Sequence, residues 1–427
     1  MKPKLSAENR IPIRQTLPFI LIVTELFLTG CATMKTIPPE IADRKAEKIH
    51  RSVLTIDSHA DTPLLLARAS NDMGKRNRPD SRGGKVDFIR MKEGGLDAIF
   101  MAAYVEQQER TPIGYINARQ TILNAIDAID SAVASNTELA EIARTPDDII
   151  HIAGSGKRAV VIGVENGYAI GKDLSLIRDY FNRGVRYITL CHMKNNDICD
   201  SANDSTEHNG LSDFGKDVVR EMNRAGMMID VSHISDQAFF DVIETSRAPI
   251  IASHSGIRAV CDNPRNLSDA MLKALVKNGG VVQINFYTEY VKALEPYTER
   301  DSAMKIYKEK YPDVGGLSPE KREIAFNERN AIDAQFPPRL ASVFDLVEHI
   351  DYVVKVAGID YVGIGTDFDG GGGLQDCYDV SQMNNITHEL VRRGYSKKDI
   401  EKIWSGNLLR VWKNVLDISS SGKKVGF

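Results

Sequence analysis

The sequence is short of the features that define several large protein classes. Cysteine appears five times in 427 residues, too sparsely for a dense disulfide framework. The spacing of Cys191, Cys199, Cys261 and Cys377 suits no zinc ribbon. Charge of one sign is lacking as well: 54 Lys and Arg stand against 58 Asp and Glu, so no strong field points to nucleic acid or an anionic membrane surface as partner. Nothing repeats beyond a strand and helix rhythm, and Gly370 to Gly373 is the one low-complexity tract. What remains is an ordinary globular composition, 42% hydrophobic and 26% charged, with length for one large domain or two to three smaller ones.

The amino end departs from that composition. Lys2, Lys4, Arg10 and Arg14 precede an apolar run from Leu17 to Leu28, interrupted by Glu25, which is too short for a comfortable membrane span and has the layout of a signal peptide. Leu28-Thr-Gly-Cys31 closes it and resembles a bacterial lipobox, in which the cysteine is lipidated and becomes the mature amino terminus. The expectation is a lipoprotein signal peptide over 1–30, a tether over 31–40 and export, with the chain anchored to a bacterial membrane through lipid on Cys31, on the periplasmic or outer-membrane side. The plainer alternative is a hydrophobic leader with a chance cysteine. In an oxidising compartment Cys199 and Cys377, placed in loops on one face, could pair as a disulfide, whereas Cys191 and Cys261 read as buried small hydrophobes.

From about residue 41 onward the chain alternates apolar, β-branched runs with helical spacing. The clearest unit runs from Met227 to His254: two short runs, each ending on a histidine, flank a helix-length segment that Ser235 can cap. Parallel strands in a βαβ unit bring both histidines to the carboxyl edge of the sheet, where α/β folds place their sites. Strands are expected over Val53–Ser58, Asp97–Val105, Arg158–Glu165, Arg186–His192, Met227–His233, Pro249–His254, Val281–Tyr287 and Tyr361–Asp367. Eight strands alternating with helices is the count of a (β/α)8 TIM barrel, a doubly wound open sheet being the alternative. A single barrel domain over 41–427 is therefore expected, with a charged helical insertion at about 288–340 between strands seven and eight. That insertion reads as a solvated hairpin, a lid, or a subunit contact in a homodimer.

Four of the nine histidines, His59, His192, His233 and His254, stand at the ends of separate strand candidates. His59-Ala-Asp61 places an imidazole and a carboxylate two residues apart, on one side of an extended segment. Glu165 ends the third strand on an acid where an apolar residue would be expected, and a carboxylate can bridge two metals. Asp367 closes the eighth strand in Gly363-Ile-Gly-Thr-Asp-Phe-Asp-Gly370, with Asp369 as the alternative acid. Such a set supplies enough nitrogen and oxygen ligands for two Zn2+ ions, and two close metals can clamp a hydroxide and polarise a carbonyl. The residues alone therefore point to a metal-dependent hydrolase, without saying which bond it cuts.

Taken together, Ile56-Asp-Ser-His-Ala-Asp-Thr-Pro63, Gly163-Val-Glu-Asn-Gly167, Tyr187-Ile-Thr-Leu-Cys-His192, Ile229-Asp-Val-Ser-His233, Ala252-Ser-His-Ser255, Asn263-Pro-Arg-Asn266 and Asn407-Leu-Leu-Arg-Val411 resemble the membrane dipeptidase family, the renal-dipeptidase type of zinc peptidase. The resemblance covers about Ile49 to Val415. It implies one zinc on His59, Asp61 and Glu165 and a second on Glu165, His233 and His254, with Glu165 bridging. It further implies that His192 contacts the scissile carbonyl and its oxyanion, that Arg265 holds the terminal carboxylate of a dipeptide with Tyr290 lining the same pocket, and that Asp367 moves the proton. Cys261 matches one half of a family disulfide whose other half is absent. Two other functions stay open: a related barrel amidohydrolase acting on N-acyl-amino acids, and a catalytically idle, lipid-anchored binding protein.

Overall fold

The computed structural model describes residues 39–66, 72–77, 84–312, 314 and 317–421. The expected leader, most of the tether and Cys31 lie outside these residues. Among the described residues nine strands form one parallel sheet: β1 (Ile56–Ala60), β2 (Ala98–Tyr104), β3 (Ala140–Ile142), β4 (Arg158–Glu165), β5 (Val185–Thr189), β6 (Met228–Asp230), β7 (Ile251–Ser255), β8 (Val281–Ile284) and β9 (Val362–Ile364). Eight follow one another in the order β1-β2-β4-β5-β6-β7-β8-β9, while β3 pairs with β4 off that path. The ring closes just beyond β9: Ala60 and Phe368 form a parallel bridge, Asp61 N–H donates to the Phe368 carbonyl at 2.8 Å, and Asp367 N–H donates to the His59 carbonyl at 3.0 Å. An open doubly wound sheet would leave those groups on free edges, so the fold is the (β/α)8 barrel.

The strands are apolar almost throughout because helices cover the outside and side chains fill the inside. All eight residues of β4 are buried. Serines end several connections, and Ser212, Ser235, Ser268 and Ser342 each accept an amide in the first turn of the helix that follows. The barrel floor is aromatic. Trp412, on the helix Asn407–Ser421, packs edge-on against Phe100 with ring centroids 5.7 Å apart; Phe100 stacks on Tyr187 at 5.9 Å, and Tyr187 on His59 at 6.2 Å. Tyr187 occupies that position because Gly163 has no side chain; a Cβ there would overlap its ring.

Between β8 and β9 the chain makes the helices Thr298–Lys310 and Pro319–Gln335, joined by ion pairs of Lys310 with Glu328 at 2.6 Å and Arg300 with Asp333 at 2.7 Å. Several strands stop earlier than their apolar runs suggest. β5 ends at Thr189 rather than His192, β6 at Asp230 rather than His233, and β9 at Ile364 rather than Asp367. His233 and Asp367 have φ of 74° and 58°, a left-handed conformation that no strand can hold, so these residues turn out of the sheet over its mouth. Strand β3, three residues long, and the six-residue helix Phe88–Glu93 are too short for a periodic signal, whereas the helix Pro146–Gly154, with Thr145 and Asp148 forming its capping box, is one that sequence reasoning missed. The pairing of Cys199 with Cys377 is corrected by the structure: all four internal cysteines are free and buried, and the Cys377 sulfur lies 3.9 Å from that of Met383.

His349, fully buried on the helix Val343–Val356, ties the mouth loops to the wall. Its Nδ1 accepts the Ile257 amide at 2.9 Å, which leaves Nε2–H to donate to the Val291 carbonyl at 2.8 Å. Burial holds its pKa below the usual histidine value. The unfolded chain therefore takes up the proton first, near pH 6.5, so the contribution of His349 is complete above that pH and lost as pH falls below it. His349→Gln should lower the urea midpoint at pH 7.5 and flatten its decline between pH 7.5 and 5.5. A variant whose decline matches that of the wild type would contradict this assignment.

Candidate metal centre

Glu165 is the last residue of β4 and points into the barrel mouth, 2% exposed. Its Oε1 lies 3.2 Å from His233 Nε2, 3.4 Å from His254 Nε2 and 3.9 Å from His192 Nε2, and its Oε2 lies 3.7 Å from His59 Nε2. His59 Nε2 is in turn 3.8 Å from Asp61 Oδ1, and the Nε2 atoms of His233 and His254 approach to 2.9 Å. Most of these separations are long for hydrogen bonds. Two ligand atoms that each sit about 2.1 Å from one tetrahedral ion end up roughly 3.4 Å apart, which is the spacing observed round Glu165.

Donor atoms gather within 4.8 Å of one another in three overlapping groups: His59 with Glu165 and His254, Glu165 with His192 and His233, and His59 with Asp61 and Asp367. Nε2 of His59 and Oδ1 of Asp61 are buried without a hydrogen-bond partner. Polar atoms in that condition are costly unless a cation takes them. Neutral imidazoles and carboxylates are the ligand set zinc prefers, so the residues fit a divalent cation of that kind.

The electrostatics agree at His233, His254 and Glu165. Burial keeps His233 and His254 well below the usual imidazole range, neutral and able to offer a lone pair. Burial alone would raise Glu165, yet the surrounding His59 and His192 rings hold it well below the usual carboxylate range, so it is ionised. Burial also disfavours charge on His59, but Glu165 and Asp61 push its pKa well up. Asp367 moves the other way, raised well above the usual range by burial and by the neighbouring Asp61.

Asp367 and Asp61 approach each other across Gly370, where a Cβ would overlap both carboxylates. Asp369 instead fixes the loop, its Oδ1 accepting the Lys85 amide at 2.9 Å and its Oδ2 the Thr62 hydroxyl at 2.8 Å. His192 lies past the end of β5 with its side chain 23% exposed, its Nδ1 3.3 Å from the Tyr104 hydroxyl. Arg265, 2% exposed, folds back over the mouth: Nη1 donates to Ser255 Oγ at 2.7 Å and Nη2 to the His254 carbonyl at 2.8 Å, while Nε is buried and unpartnered. Its guanidinium lies 5.6 Å from the Tyr290 ring centre. Every internal site residue singled out in the sequence thus comes to one mouth. Sequence reasoning missed Tyr187 and Ser253, which touch the ligand histidines from below, and Asp230, which holds Ser253; all three lie within the quoted motifs.

A closed (β/α)8 barrel with a cation site of histidines and carboxylates at the carboxyl ends of its strands defines a metal-dependent hydrolase of the barrel type. The chain belongs to the membrane dipeptidase family, peptidase family M19, whose model matches residues 43–425. It is 33% identical over 347 residues to Dipeptidase tcpJ of Claviceps purpurea, covering 80% of this chain and 71% of that protein. It is 31% identical over 378 residues to Dipeptidase 3 of Rattus norvegicus, covering 87% and 67%. Among solved structures, the probable dipeptidase PvdM from Pseudomonas aeruginosa superposes with a TM-score of 0.76 at 32% identity, over 89% of this chain and 100% of that one. A metallopeptidase from Rhodobacter sphaeroides, solved with a phosphinate mimic of the dipeptide L-Ala-D-Ala, shares the fold with a TM-score of 0.68 at 22% identity, over 85% and 99%. The protein is therefore a metal-dependent hydrolase of the dipeptidase type.

A ligand that binds only the folded chain stabilises it by mass action, about 2.7 kcal/mol at a hundredfold excess over Kd. Zinc added to chelator-stripped protein should raise the melting temperature by several degrees and restore hydrolysis. Glu165→Gln should lose most of that rise while its metal-free melting stays near that of the wild type. An equal zinc-induced shift in both proteins would remove Glu165 from the centre.

Proposed function

We propose that the protein hydrolyses the peptide bond of dipeptides, including those with a D-residue at the carboxyl end, using two zinc ions per chain. The observation that carries this reading is the position of Glu165, one oxygen facing His59 and the other facing His233 and His254. A carboxylate so placed can serve both ions, the first with His59 and Asp61 and the second with His233 and His254. When bound, the zinc pair supplies Lewis acidity that polarises the carbonyl and lowers the pKa of water at the site. The D-residue is supported by the L-Ala-D-Ala mimic in the Rhodobacter enzyme.

The chain's own groups divide the remaining work. Asp367, its carboxyl pushed up by burial and by Asp61, accepts a proton from the attacking water and hands it to the leaving amine. His192, at the rim and steadied by Tyr104, donates to the oxygen on which charge develops. Arg265 offers its unpartnered Nε edge to the free carboxylate of the substrate, and Tyr290 walls that pocket. Outside the described residues, the basic start, the apolar run and Leu28-Thr-Gly-Cys31 support a lipid anchor on Cys31 and export to a bacterial membrane surface. Mass spectrometry of the membrane fraction should find a lipidated terminus at Cys31; a native protein that retains Met1 and stays in the soluble fraction would sink the anchor.

Arg265 sets the length rule. A carboxylate one residue past the scissile carbonyl can meet the guanidinium and the zinc pair together, whereas a tripeptide or an amidated dipeptide cannot. Charge-assisted hydrogen bonds are worth roughly 1.5 to 3 kcal/mol each, so Arg265→Ala should lower dipeptide kcat/KM by about tenfold to a hundredfold or more. Zinc content should not change. Equal rates on free and amidated dipeptides in the wild type would overturn the role of Arg265.

A further inference from the structure

Asp230, at the end of β6, is fully buried in the barrel interior and is not among the proposed ligands. Its Oδ1 accepts the amides of Ser232 at 3.0 Å and Ser253 at 2.8 Å; its Oδ2 accepts the hydroxyls of Thr189 at 2.5 Å and Ser253 at 2.6 Å. Four such bonds fill the acceptor positions of a carboxylate. Asp230 therefore has no lone pair left for a cation, and its charge acts through what donates to it.

The Ser253 hydroxyl stands at the junction. Besides Asp230 it has His254 Nδ1 at 2.9 Å, His59 Nδ1 at 3.4 Å and Ser232 Oγ at 3.4 Å. A hydroxyl has one proton, and at 2.6 Å from a carboxylate, which only accepts, that proton points to Asp230. The lone pairs of Ser253 are then turned toward the rings, so His254 must carry its proton on Nδ1. A neutral ring protonated there has its lone pair on Nε2, the atom 3.4 Å from Glu165 Oε1. His59 is arranged in the same sense: its Nδ1 faces the Tyr187 hydroxyl at 2.8 Å and Ser253 beyond it, and its Nε2 is the unpartnered atom.

We propose that Asp230 and Ser253 form a buried carboxylate and hydroxyl relay that fixes His59 and His254 as Nδ1–H tautomers, so that one group outside the ligand set governs metal affinity on both sides of Glu165. The proposal rests on the two-zinc reading. Asp230 and Ser253 are positioning residues: Ser253 touches the ligand histidines, Asp230 acts through Ser253, and neither touches the substrate. Tyr187 reaches His59 alone and serves one side only.

A purely structural Asp230 would staple β5, β6 and β7, and its loss would lower stability without changing zinc affinity or tautomer. The test uses the full chain, stripped and reloaded, with zinc affinity read by competition with a chromophoric chelator at fixed pH. Ser253→Ala removes the junction and leaves the amide bonds of Asp230 in place. Removal of an outer partner of a ligating histidine typically costs about 10- to 100-fold in affinity, and that loss is expected for both ions in Ser253→Ala and Asp230→Asn, but for one ion in Tyr187→Phe. Nitrogen NMR of the imidazoles in zinc-loaded wild type should show Nδ1–H on His59 and His254. Unchanged zinc affinities in Ser253→Ala, or a proton on Nε2 of His254 in metal-free wild type, would overturn the proposal. Should Asp230→Asn fail to fold, Ser253→Ala decides alone. A wild type that takes up one zinc would defeat the two-zinc reading, and the affinity of that single ion in Ser253→Ala would still judge the relay.

Discussion

A carboxylate that water cannot reach has to be neutralised, and Glu165 is such a carboxylate at the centre of a barrel mouth. Four imidazoles face it from separate strands or the loops just past them. Uncompensated burial of an ionised acid costs several kcal/mol at the least. Two of those rings are held neutral by burial, so they bring lone pairs to the site, and a divalent cation is the species that satisfies both the acid and the rings. The requirement for metal thus follows from the polarity of the cluster, and the family relationship states it independently.

The barrel does the positioning. Its closure through Ala60 and Phe368 sets Asp61 beside Asp367, with Gly370 giving the space between them. From below, Trp412, Phe100 and Tyr187 form an aromatic column that carries His59 at its top. From the side, the loop after β7 brings Arg265 back against Ser255 and the His254 carbonyl. Rigid support of this sort is what a metal site needs, because ligand atoms must be held within a few tenths of an ångström of their working positions.

Much of this was legible in the sequence because barrel chemistry clusters at strand ends. Apolar runs ending in His59, Glu165, His192, His233, His254 and Asp367 point to one rim, and the residues do meet there. What could not be read was conformation past the strand ends. The left-handed turns at His233 and Asp367 leave no periodic signal, so the apolar runs of β6 and β9 read three residues too far. Cys199 and Cys377 share a face in a coarse topology, but loop folding buries each as a free thiol and sets Cys377 against Met383. Asp230, Ser253 and Tyr187 look like ordinary strand residues until the barrel closes, since their partners come from other strands.

We propose that Glu165 is shared by two ions. Anomalous X-ray scattering at the zinc edge, from crystals of the zinc-loaded protein, tests it most directly. Two peaks are expected, one on either side of the Glu165 carboxylate, the first also within bonding distance of His59 and Asp61 and the second of His233 and His254. A single peak, or two peaks that Glu165 does not bridge, would contradict it.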